Sequence, residues 1–278
     1  MQQKSISLGS DFAALELAYL DWGDSGAPRT VVCVHGLTRN AHDFDALAEA
    51  LAARGCRVLA VDIAGRGRSG WQNDPAQYAV PVYAAHMAKF FQLLGLSGVD
   101  WVGTSMGGLI GMVLAAGEHP PMARLVINDI GPFVPVRALQ QIQAYLGLDL
   151  RFKDQAELEA HLRKIHGSFG PLTDAQWHKL ASSSGRELPD GWRLRYDPAI
   201  REVFDASADV AIWELWDHIR VPTFVLRGGE SILLTAETLA EMQRRGPPVQ
   251  AVTFPGVGHA PALMAQDQIE AIVGWLGV

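Results

Sequence analysis

The sequence predicts an α/β fold in which a mainly parallel sheet is covered by helices on both faces. Three observations carry this. Short, almost wholly apolar runs recur ("TVVCVHG", "CRVLAVD", "VDWVGTS"), as strands buried on both faces require. Longer stretches of helical period separate them. Gly and Pro mark the boundaries between the two.

Taken in order, Ile6–Gly9 and Leu15–Asp21 read as an opening pair of strands, followed by a Gly/Pro turn at "GDSGAPRT". "TVVCVHG" is a buried third strand, and the helical "HDFDALAEALAARG" after it stops at Gly55. "CRVLAVD", a helix over Val82 to Leu94, and "VDWVGTS" continue the alternation. The small-residue helix "MGGLIGMVLAAGEHP" ends at Pro120 and Pro121, and the strand "ARLVINDIGP" ends at Gly131-Pro132. From Phe133 to about Trp216 the rhythm breaks into helical patterns with no convincing buried strand. "VPTFVLRGG", "TAETLAEMQRRG", "VQAVTFPG" and "QDQIEAIVGWLGV" then restore it. The expected organisation is a core of residues 1–132 and 217–278, interrupted by a helical cap, residues 133–216, over one end of the sheet.

At 278 residues, 49% hydrophobic and 19% charged, the chain has a globular composition and enough length for a large core. A net charge of −7 argues against nucleic acid or an anionic membrane as partner. No apolar stretch reaches the roughly 18–20 residues that span a bilayer. "MQQKSISLGSDFAALELAYL" lacks the basic start and apolar run of a signal peptide. Cys33 and Cys56 read as buried free thiols, and the expected location is the cytoplasm.

The strongest chemical signal is Gly103-Thr104-Ser105-Met106-Gly107, a G-x-S-x-G set between a strand and a helix. In that setting it is a nucleophile elbow: the serine sits on a sharp turn, and the flanking glycines let backbones approach. A serine that merely caps a helix is the plainer reading. In "VCVHGLTRN", the backbone after His35-Gly36 is free to present the N–H of Leu37 beside that of Met106, an oxyanion hole for a tetrahedral intermediate. His35 itself reads as a brace for the loop. Of nine histidines, only His259 in "FPGVGHAP" leaves a late strand through a glycine-flanked loop, which makes it the candidate general base. His42, His86, His119, His161, His166, His178 and His218 read as structural or solvated. "GRGRSG" at 65–70 matches a dinucleotide fingerprint literally, but a turn-rich, proline-broken stretch follows where a helix must open. No Walker or metal-ligand spacing is present, so neither cofactor nor metal is expected.

With "HGLTRN", "GRGRSG", "GTSMGG" and "GVGHAP" in this order, the chain resembles the α/β-hydrolase superfamily over nearly its whole length. It looks closest to bacterial esterase-like members with a helical cap after the sixth strand. The resemblance implies an eight-stranded sheet, a triad in the order serine, acid, histidine, and no cofactor. Dehalogenases and epoxide hydrolases of the superfamily carry aspartate at the elbow, so Ser105 points to acyl transfer to water. A small carboxylic ester is the simplest substrate, with carbon–carbon bond hydrolysis as an alternative. Arg39, Arg66 and Arg68 keep an acidic substrate open, although such arginines are usually solvated.

One position departs from the pattern. The resemblance implies an acid after the seventh strand, yet "LRGGESILLT" puts Ile232 there. Asp129, at the end of the sixth strand where some members carry their acid, is the first substitute, and Glu230 is the second. A lost acid would instead suit a weakly catalytic or non-catalytic small-molecule-binding member of the fold. Phe133 and Trp213 are the candidate substrate contacts in the cap, lining an apolar pocket with Leu37 and Met106.

Overall fold

The computed structural model describes residues 1–278. Its core strands are β1 (Gln2–Ser7), β2 (Glu16–Trp22), β3 (Thr30–Val34), β4 (Arg57–Val61), β5 (Val99–Thr104) and β6 (Met122–Asn128). Three helices lie between them, α1 (Asp45–Ala52), α2 (Val80–Leu94) and α3 (Met106–Ala115). The inserted segment carries β7 (Phe133–Val134), α4 (Val136–Gln143), α5 (Gln155–Ile165), α6 (Asp174–Ser184), β8 (Gly185–Leu188), β9 (Gly191–Leu194) and β10 (Val210–Ala211). The chain ends with α7 (Trp213–His218), β11 (Thr223–Gly228), α8 (Ala236–Arg244), β12 (Val249–Phe254) and α9 (Gln266–Leu276).

Eight strands form one sheet in the order β1-β2-β4-β3-β5-β6-β11-β12. It is parallel from β4 to β12, while β2 runs antiparallel to both of its neighbours. Alternation along each strand explains the runs of apolar residues. Val32 and Val34 enter one core with Leu59 and Val61, whereas Val31 and Cys33 enter the other with Val58 and Ala60. Both faces are therefore covered. No helix is long and apolar enough to cross a membrane.

Two expectations are corrected. The first strand lies at Gln2–Ser7, earlier than Ile6–Gly9, and pairs Gln2 with Asp21. An edge strand has one open side, so its polar residues gave no apolar signal. The inserted segment also contains strands. The β8–β9 hairpin rides on it, and β10 pairs antiparallel with β7, matching Val210 to Val134 and Ala211 to Phe133. That ribbon brings the outgoing and returning chain together. Beyond it, α7 rejoins the main core through Trp216, which is fully buried with its indole N–H on the Arg245 carbonyl at 2.9 Å. The inserted helices have a small core of their own, Phe152, Leu158, Leu162, Trp177, Leu180 and Ala181.

Candidate active site

β5 turns into α3 within a single residue. Ser105 has φ 52 and ψ −114, a region that side-chain-bearing residues seldom enter. The turn persists because its backbone is held on both sides. The Ser105 N–H donates to the Asn128 carbonyl at 2.9 Å, and its carbonyl accepts from Gly108 at 2.8 Å. The glycines are demanded by contact. A Cβ on Gly103 would stand 2.3 Å from the Gly107 carbonyl oxygen, and one on Gly107 would stand 2.0 Å from that of Val34.

His259 and Asp129 meet the serine from other strand ends. The imidazole Nε2 lies 2.9 Å from Ser105 Oγ, and Nδ1 lies 2.8 Å from Asp129 Oδ2. The second carboxylate oxygen, Oδ1, accepts the Gly228 N–H at 2.7 Å. Asp129 is fully buried and has a positive φ of 58 at the end of β6. With the carboxylate on Nδ1, that nitrogen carries the proton. Nε2 is then left to accept from the serine hydroxyl. Glu230 is placed differently: it is exposed, and its backbone N–H donates to Val257. Ile232 lines a cavity together with Glu230 and His259.

The loop after β3 closes over the serine. A Cβ on Gly36 would stand 3.6 Å from that of Ser105, and Leu37 and Met106 line a cavity with Ser105. His35 is fully buried; it accepts the Ile63 N–H at Nε2 (3.0 Å) and faces the Gly36 carbonyl through Nδ1 (2.7 Å). Burial drives its pKa down to about 3, so the ring stays neutral and braces the loop. The "GRGRSG" segment opens no helix, and no cluster of three His, Cys, Asp or Glu side chains is placed to hold a metal.

Several residues of the site were not legible in the sequence. Arg66 was expected in solvent, yet it is fully buried. Its guanidinium donates to the Leu37 carbonyl (2.9 Å), the Ala64 carbonyl (2.8 Å) and the Tyr83 hydroxyl (2.6 Å), and it lies 3.5 Å from Met106 Sδ. Arg39 is also buried. It clamps Asp43 through two nitrogens and reaches Ser184 of α6 at 2.8 Å. Only Arg68 is exposed. Ser168, in the inserted segment, holds the histidine loop twice: its carbonyl accepts from Gly258 (2.7 Å) and its hydroxyl donates to the His259 carbonyl (3.0 Å).

The cavity at Ser105 is about 270 Å³ and almost wholly apolar, with Leu109, Val134, Leu139, Phe204, Val210 and Leu233 in its walls. The expected contacts Phe133 and Trp213 do not line it. In the β7–β10 ribbon, side chains alternate, so Val134 faces the cavity and Phe133 does not. Trp213 lies under the Arg245 guanidinium, 5.1 Å from the ring centre.

The alpha/beta hydrolase fold family matches residues 29–263. The chain belongs to the alpha/beta hydrolase family. Among its relatives, a 3-hydroxybutyrate-oligomer hydrolase of Cupriavidus necator is 44% identical over 264 residues, covering 91% of this chain and 90% of that one. An esterase of Mycobacterium tuberculosis is 32% identical, covering 92% and 84%. The crystal structure of an alpha/beta hydrolase from Novosphingobium aromaticivorans superimposes with a TM-score of 0.87 at 34% identity, covering 99% and 98% of the two chains. This alpha/beta hydrolase is an ester-hydrolysing enzyme.

Proposed function

We propose that this alpha/beta hydrolase cleaves small aliphatic carboxylic esters through an acyl-enzyme at Ser105, with 3-hydroxybutyrate oligomers the substrate class that its 44% identical relative suggests. The observation that carries the reading is the unbroken hydrogen-bonded line from Gly228 N–H through Asp129 and His259 to Ser105 Oγ. Ser105 Oγ attacks the ester carbonyl carbon while its proton passes to His259 Nε2. The carbonyl oxygen becomes an oxyanion, which the N–H groups of Leu37 and Met106 stabilise. On collapse the ester C–O bond breaks, and Nε2–H hands its proton to the departing alcohol. Water then repeats the sequence on the acyl-enzyme and releases the acid. Asp129 keeps the proton on Nδ1 and offsets the positive charge that the imidazole gains. Incubation with a 3-hydroxybutyrate trimer tests the substrate class, since monomer and dimer must accumulate.

In this reading the cap expected at residues 133–216 ends at about residue 212, since α7 packs into the main core through Trp216, and it sets acyl length. The β7–β10 ribbon at their base and their separate small core support it. Cytoplasmic residence is part of the same proposal, and two free, buried cysteines accord with it. Val134→Trp and Val210→Trp should lower the octanoate-to-butyrate ratio of kcat/KM, roughly tenfold for each methylene or two excluded. Phe133→Ala and Trp213→Ala should leave that ratio where it is. Rates on p-nitrophenyl esters of graded length check both. A ratio that moves with Phe133 and not with Val134 contradicts the assignment of the cavity wall.

Arg66 acts here as a positioning residue. It holds Leu37 by its carbonyl and Met106 by its sulfur, the two residues whose N–H groups meet the oxyanion. Losing an oxyanion donor outright costs about 10²–10³ in kcat, so loosening both indirectly should cost about tenfold. Arg66→Met retains most of the volume. The expected outcome is a lower kcat at nearly constant KM, with a thermal melt confirming that the protein stays folded.

A further inference from the structure

We propose that a second cavity, on the His259 side of the reacting pair, is the leaving-group subsite, and that it selects against alcohols carrying a carboxylate close to the scissile ester. The proposal rests on the serine-hydrolase reading and refines its substrate. This cavity measures about 210 Å³ and is lined by Tyr145, Ser168, Glu230, Ile232 and His259, among others. It shares the side chains of Ile142 and Leu233 with the apolar cavity. The hydrogen-bonded pair Ser105–His259 therefore joins the two spaces: the serine lines the first and the histidine the second.

The chemistry assigns the halves of the ester. The carbonyl oxygen must sit at Leu37 and Met106, which line the first cavity, so the acyl chain lies there. The departing oxygen must take its proton from His259 Nε2, so the alcohol lies on the histidine's side. There the loop after β11 has been released from its usual duty. Asp129 serves the imidazole from β6, and the loop instead contributes Ile232 as an apolar wall and Glu230 as an exposed carboxylate. No lysine or arginine lines this space, so nothing in its walls neutralises Glu230. Tyr145 adds a hydroxyl, and burial pushes its pKa up to about 12, so it remains a donor for an ether, ester or hydroxyl oxygen. A leaving group whose carboxylate lies next to the scissile ester places two like charges in one small space. A neutral ester or hydroxyl there meets a donor and an apolar wall. On a hydroxyalkanoate oligomer, the ester next to the free carboxylate is then the poorest cleavage site.

Two butyrate esters test this, 3-(butanoyloxy)butanoate and its methyl ester. Both form the same butyryl-enzyme, so their kcat/KM ratio reports the leaving group alone. The parent should favour the methyl ester in butyrate release, and raising the salt should shrink the preference. Glu230→Gln should reduce the preference about tenfold, the scale of a like-charge contact at a partly exposed site, and Glu230→Lys should reverse it. An unchanged ratio in both variants, while Ser105 still takes up a phosphonate stoichiometrically, overturns the subsite. Absence of phosphonate uptake at Ser105 overturns the serine-hydrolase reading instead.

Discussion

Ser105→Ala lowers kcat on p-nitrophenyl butyrate by about 10⁶-fold, the scale seen when a serine nucleophile is removed from a triad. Alanine keeps the Cβ and does not alter the backbone bonds to Asn128 and Gly108. The fold should therefore melt as the parent does, and the loss is chemical. What remains is the contribution of the oxyanion donors and of binding, about 10³–10⁴ over water. A serine-directed phosphonate should add one equivalent to the parent and none to the variant, read by intact mass and located by peptide mapping. Uptake at any other side chain refutes Ser105 as nucleophile.

What the sequence disclosed, and what it hid, divides along the range of the forces involved. The strands of the parallel sheet were legible because burial on both faces forces runs such as "TVVCV" to be apolar throughout. The turn at Ser105 was legible because close backbone contact can be met only by glycine at 103 and 107. Strand β1 was expected but placed too late, because an edge strand needs no such run to mark its bounds. The β7–β10 ribbon was hidden because two-residue strands carry no period, and its pairing joins residues far apart in the chain. That Val134 and not Phe133 lines the cavity was hidden for the same reason, since the phase of a two-residue strand comes from its partner alone. Arg66 was misread because burial of a guanidinium depends on carbonyls and a tyrosine brought from three separate segments. Ser168 gave no signal at all. It is one serine in a polar stretch, and its role exists only where the inserted segment touches the loop before His259. Composition bore only on broad partner classes, whereas the gap at Ile232 and the place of Asp129 at the end of the sixth strand directed attention to Asp129.

Asp129→Asn should lower kcat by about 10⁴, the cost of the equivalent change in a comparable triad. The fold has little reason to object. Asparagine tolerates the positive φ of 58, and its carbonyl oxygen can keep the Gly228 N–H that Oδ1 accepts now. The imidazole meets a different partner. The amide NH₂ then faces Nδ1, which must accept, so the ring proton moves to Nε2. That nitrogen can no longer take the serine's proton, and the charge that forms on the ring has no carboxylate beside it. Glu230→Gln should fall far less on neutral esters, because Glu230 is exposed while Nδ1 is already engaged by Asp129. Ile232→Asp restores a carboxylate where related hydrolases place theirs, and in the parent it should bring no gain. The measurement is kcat on one neutral ester for all three variants, with a thermal melt as the check on folding. Parent-like turnover by Asp129→Asn would show that the acid is elsewhere. A rise of orders of magnitude in Ile232→Asp would show that the parent's histidine lacks a working partner.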